Sequence, residues 1–144
     1  MKKQATMLAL SMLVHAVAFA EGQDTIDYRK HVMQTLQAQT SALGMIMSGT
    51  IPDDNAVAHM EIIAATAKTA LKSFEPKVEG GDAKPEVWSN WADFSARMQD
   101  FVTKSAEMAR VGREQSLDEA YTLAIDALNC KSCHDVYNSK PPGG

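Results

Sequence analysis

Three stretches of this chain step through the sequence by three and four residues in strict alternation, and that spacing constrains its fold more than any other feature. Ile26, Arg29, Met33, Leu36, Thr40, Leu43 and Met47 form the first run. Val57, Met60, Ala64, Ala67, Leu71 and Phe74 form the second. Val87, Trp91, Phe94, Met98, Phe101, Ser105 and Met108 form the third. Such a step keeps side chains on one stripe of an α-helix, and several stripes in one chain must bury against each other as a bundle. A fourth segment, residues 117–137, is less regular and carries both cysteines. Nothing alternates with period two. The chain is predicted to be all-α: an antiparallel four-helix bundle.

The punctuation agrees. Gly49 and Pro52 are expected to stop the first helix, and Asp53 or Asp54 to cap the second, because a carboxylate there accepts from free backbone N–H groups. Pro76, Gly80 and Gly81 mark a longer loop. Pro85 suits the first turn of the third helix, where its missing N–H costs nothing, and Gly112 is expected to end that helix. Ser116 with Glu119 reads as a capping box for the fourth. Pro141-Pro142-Gly143-Gly144 reads as a frayed tail.

The first twenty residues read differently. Lys2 and Lys3 precede a mostly apolar run, residues 5–19, closing on the small-x-small sequence Ala18-Phe19-Ala20. That is the pattern of a secretory signal peptide. The run falls short of the roughly 20 apolar residues a spanning helix needs, and Thr6, Ser11 and His15 interrupt it. Residues 1–20 are therefore predicted to be cleaved, leaving residues 21–144 as one domain in the bacterial periplasm with no membrane span. Loss of Lys2 and Lys3 takes the net charge from −4 to −6. An acidic balance argues against a nucleic-acid binder.

One motif carries chemistry. Cys130-Lys131-Ser132-Cys133-His134 is C-x-x-C-H, the attachment pattern of a c-type haem. Two thiols three residues apart on a helical turn reach the two vinyl groups of one haem and form thioethers. The following histidine then offers a ring nitrogen to the iron. Thiol–disulfide chemistry would call for a βαβ context, and structural zinc for a second Cys/His pair; the sequence offers neither. One covalently bound haem is the predicted cofactor, with Cys130, Cys133 and His134 holding it.

The sixth position on such an iron decides its use. Left open, it takes a small gas; closed by a second protein ligand, it suits electron transfer. The mature chain has methionines at 33, 45, 47, 60, 98 and 108, and a thioether is soft and neutral and raises the potential. Methionine is also a common core filler, so spacing alone does not choose among them. His31 and His59 fall off their stripes and read as surface residues.

The mature chain resembles the class II cytochromes c, the family of cytochrome c-prime and its low-spin relatives. The haem motif lies near the C-terminus. Ile26-Asp27-Tyr28-Arg29 opens the first helix, and Gly80-Gly81-Asp82-Ala83-Lys84-Pro85-Glu86-Val87-Trp88 leads into the third. The resemblance implies that the residue four after Arg29, here Met33, faces the iron opposite His134. Typical members have an apolar residue there and a five-coordinate iron; low-spin members use methionine. It also implies that Arg29, Lys30 and Asp82 lie near the haem propionates. A guanidinium, a fork of donors that stays charged, suits that role, and an unpaired Arg29 on the stripe would be costly. Asn138 departs from the family, many of whose members have a basic residue four after the haem histidine. Relatives often form homodimers through the first two helices.

These readings predict a periplasmic cytochrome, not an enzyme, that carries single electrons through a six-coordinate Met33/His134 haem to partner proteins whose identity the sequence does not give. The alternative is a five-coordinate cytochrome c-prime that binds small gases such as nitric oxide.

Overall fold

The computed structural model describes the backbone of residues 2–140 and the side chains of residues 22–140. The C-terminal tail predicted to fray lies outside these residues, as do the side chains of the predicted export segment. Among the described residues six α-helices follow one another: α1 (Lys2–Met47), α2 (Ala56–Phe74), α3 (Glu86–Ser89), α4 (Trp91–Glu114), α5 (Leu117–Ala127) and α6 (Cys130–Tyr137). Among the described residues there is no strand, only the isolated bridges Gly80–Ala83 and Ala83–Asn138. α1 packs on α2, α2 on α4 and α4 on α5. This is the predicted all-α bundle architecture.

Several boundaries differ from the sequence reading. α1 starts well before Ile26 and ends at Met47, where Gly49 at φ +72° turns the chain and donates to the Ile46 carbonyl at 2.8 Å. Neither Asp53 nor Asp54 caps α2: both belong to a short 3-10 turn, Asp53–Asn55, and Asn55 precedes α2 without a side-chain cap. The third helix is two. Pro85 precedes α3, and Asn90 at φ −120°, ψ 46° breaks the chain before α4. Gly112 does not end α4, which continues to Glu114. A Cβ there would lie 2.9 Å from Met60 Sδ and 3.4 Å from Ala120 Cβ, so it is glycine because α2 and α5 crowd it. Ser116 does cap α5, its side chain accepting from the Glu119 N–H.

The fourth helix is also two. Leu128 and Asn129 leave helical geometry, and the Cys130 N–H turns back to the Leu128 carbonyl at 2.8 Å. The break lets α6 leave the line of α5, so the haem motif sits on a short helix of its own.

The first stripe splits in two. Leu43 is buried in the main core with Met60 and Ile63 of α2, as are Val32 and Ile46 beside the stripe. Ile26, Met33 and Thr40 are only half-buried and line a cavity, and Leu36 is buried in the core and lines that cavity as well. Among the described residues, α1 is not closely packed on α5 or α6. The bundle is open along that side, and the cavity lies there.

Candidate functional site

The cavity, about 1040 Å³, is bounded by α1, α4, α5, α6 and the loop 80–83. That size is at the upper end of the roughly 300–1,000 Å³ of small-molecule and cofactor sites. Every residue the sequence analysis assigned to the site lines it: Arg29, Lys30 and Met33 from α1, Asp82 from the loop, and Cys130, Cys133 and His134 from α6. Residues up to 105 positions apart in sequence are thus brought to one space.

α6 presents the chemistry. Cys130 and Cys133 carry free thiols, and burial pushes both above the usual thiol value. His134 is one turn after Cys130, on the same face. Burial lowers its pKa, which favours the neutral ring. Asn138 Nδ2 lies 3.4 Å from His134 Nδ1; with the amide turned so that its oxygen accepts from Nδ1–H, Nε2 carries the lone pair a metal would take.

The opposite wall belongs to α1. Met33 and Met98 are the two methionines lining the cavity. Among the described residues that line the wall, His134 is the one histidine: His31 is exposed, and His59 is tied to Gln39, its Nδ1 2.7 Å from Oε1. Of the soft ligands that would suit an iron held by His134, the cavity wall offers these two thioethers.

Arg29 is the most unusual side chain present. It is 4% exposed, and its Nη1 and Nη2 are buried without a hydrogen-bond partner. Burial depresses its pKa. Its guanidinium lies over the rings of Phe74 and Trp88, at 5.2 and 5.0 Å from their centroids, while the Trp88 indole N–H donates to the Phe74 carbonyl at 3.0 Å. The aromatic faces offset part of the charge's desolvation but supply no acceptor. A buried guanidinium fork without an acceptor calls for an anion.

The charges of the wall agree. Five of its charged residues are basic and three acidic, in a chain of net charge −4. Lys30 and Asp82 already have partners, Asp27 at 3.6 Å and Lys140 at 3.1 Å. Both pairs are exposed and worth little, so they leave Arg29 as the cation most in need of a carboxylate. A haem fits these features: two thiols and an imidazole on one helix, a cavity of the right size, and a buried cation where a propionate would lie.

Three groups at the site escaped the sequence reading. Asp93, Arg97 and Tyr137 link α4 to α6 through hydrogen bonds. The Asp93–Arg97 spacing of four and the place of Tyr137, three after His134, are the signals that could have found them.

The family model for Cytochrome C' matches residues 24–138. The chain belongs to the cytochrome c' family. It is 29% identical over 125 residues to the cytochrome c' of Alcaligenes xylosoxydans xylosoxydans, covering 85% of this chain and 98% of that one. It is 27% identical over 132 residues to the cytochrome c-556 of Agrobacterium fabrum, covering 89% and 88%. A solved ferrous variant of the Alcaligenes xylosoxidans cytochrome c', with NO bound, superposes with a TM-score of 0.76 at 27% identity, over 83% of this chain and 96% of that one. The same protein is solved in a carbon monoxide-bound variant, again with a TM-score of 0.76. Proteins of the cytochrome c' family bind a covalently attached c-type haem, as the C-x-x-C-H motif of this chain requires. These likenesses favour the gas-binding alternative over the predicted electron carrier, and do not single out a low-spin, methionine-ligated branch.

Proposed function

We propose that this cytochrome c' binds small diatomic gases at the iron face beneath α1; what carries this reading is the likeness of its fold to a cytochrome c' solved with NO and with CO bound. Bound in the cavity, a c-type haem supplies an iron whose position opposite the histidine accepts NO or CO. Cys130 and Cys133 anchor it through thioethers. His134 gives the iron its Nε2. Arg29, held by Phe74 and Trp88, pairs with a propionate. Met33, in the cavity wall on α1, would cover the other face without bonding the iron, leaving that position to a gas. In this reading the protein binds its gas and does not turn it over. The chain acts in the periplasm, after its export segment is removed at Ala20. Homodimers would form through α1 and α2, whose exposed Met45 and Ile62 are available to a second copy; sedimentation tests that assembly.

A second reading has its own observation. Met33 puts a soft sulfur into the cavity wall, and a sulfur bonded to the iron would make the protein an electron carrier between redox partners. The two differ only in the Met33–iron bond. Adding carbon monoxide to the reduced haem protein separates them: a shifted spectrum supports gas binding, and an unresponsive low-spin spectrum supports the carrier.

A further inference from the structure

α6 is eight residues long, too short to hold a helix by itself in water, so its orientation depends on what grips it. One carboxylate of α4 is central to that grip. The Tyr137 hydroxyl donates to Asp93 Oδ2 at 2.5 Å, and Arg97 Nε donates to the same oxygen at 2.6 Å. Arg97 Nη1 reaches on to the Ser132 carbonyl at 3.2 Å. Ser132 and Tyr137 lie on either side of His134 in sequence. Asn90 Nδ2 donates to the Tyr137 oxygen at 3.2 Å, and the buried Tyr137 ring stands edge-on to Phe94, centroids 5.1 Å apart.

We infer that Asp93 is a positioning residue for His134, holding α6 at one orientation about its own axis through Tyr137 and Arg97. The inference rests on His134 being the iron's ligand. An exposed Asp–Arg pair ordinarily contributes little to stability, but this one is coupled to a buried phenol and to a backbone carbonyl of the haem motif, and such networks act as a unit. Removing Asp93 does not release α6. The Lys84 N–H still donates to the Tyr137 carbonyl at 2.9 Å, and the Ser139 N–H to the Asp82 carbonyl at 2.9 Å. These bonds tether the C-terminal end and leave rotation as the freedom gained. Groups that orient a metal-bound histidine affect the metal more than they affect the fold.

The test uses the haem-loaded protein. Proton NMR follows the hyperfine-shifted ring resonances of His134 in the wild type and in Asp93→Asn, Tyr137→Phe and Arg97→Gln, with Tm measured beside them. Tyr137→Phe keeps the ring and its packing. Glu107→Gln, which breaks an ion pair with Arg110 on the same helix, is the control. The inference predicts displaced His134 resonances in all three site variants, largest in Asp93→Asn, and unmoved resonances in the control. A lowered Tm with unmoved resonances in the three variants makes Asp93 merely structural and overturns the inference. A wild type with no hyperfine-shifted His134 resonances overturns the ligand reading on which it stands.

Discussion

The guanidinium of Arg29 sits 5.0 Å from the centre of the Trp88 ring, buried and with both terminal nitrogens unpartnered. This geometry holds a cation ready for an anion. Removing one partner of a buried ion pair typically costs about 3–5 kcal/mol, so Arg29→Met lowers the Tm of the haem protein and lowers its reduction potential, because a carboxylate near the iron is left uncompensated. Arg29→Lys restores part of the potential, since the charge returns without the fork. Thermal melts and redox titrations check both; an unchanged potential in Arg29→Met removes the propionate role.

Met33 faces the same space from α1. Met33→Leu keeps the volume nearly constant and costs under about 1.5 kcal/mol, so the variant folds and still takes up carbon monoxide when reduced. Met33→Ala opens the wall and speeds gas association. Stopped-flow mixing reads both rates; a large gain already in Met33→Leu shows that the sulfur was bonded to the iron.

Gly80 and Gly81 let the loop cross α1 closely. Both have positive φ, and a Cβ on either would lie 2.9 Å from an Ile26 side-chain carbon. Gly81→Ala combines a strained φ with overpacking, each of order 1–3 kcal/mol. The loss shows in denaturant melts and is smaller in a chain that carries Ile26→Ala, which removes the Cγ2 the new Cβ would meet. No loss in Gly81→Ala contradicts the close approach.

Tyr137 ties alkaline stability to the site. Burial and the hydrogen bond to Asp93 raise its phenol to about 12 from 10.0. The neutral form is favoured in the folded state, so this group's contribution is complete below pH 10 and is lost as pH rises from 10 to about 12. Tyr137→Phe flattens that part of the stability–pH curve. Asp93 acts on the acid side: hydrogen bonds from Arg97 and Tyr137 hold its pKa below 3.8. Its contribution is present above that value and fades as pH falls below it. Melts across pH for the wild type, Tyr137→Phe and Asp93→Asn separate the two ends.

The haem motif, the Ser116 cap and the second and third stripes were legible in sequence because each is set by residues within a turn or two of one another. The breaks at Asn90 and Leu128–Asn129 were not, because neither contains proline or glycine. Gly112 was misread for a related reason: its need for a missing side chain comes from Met60 and Ala120, distant in sequence. The first stripe mixed two faces, one for α2 and one for the cavity, since a helix facing a cofactor shows the same apolar period as one facing protein. Arg29 stood out as a charge on that stripe, while its aromatic clamp of Phe74 and Trp88 had no local signal. The bond that decides function, between Met33 and iron, leaves no trace in spacing.

The most direct test is an absorption spectrum of the reduced, haem-loaded protein before and after adding carbon monoxide. A shifted spectrum that saturates with the gas is the predicted result and places the open iron face beside Met33. A low-spin spectrum that the gas leaves unchanged contradicts gas binding and makes Met33 and His134 the axial pair of an electron carrier.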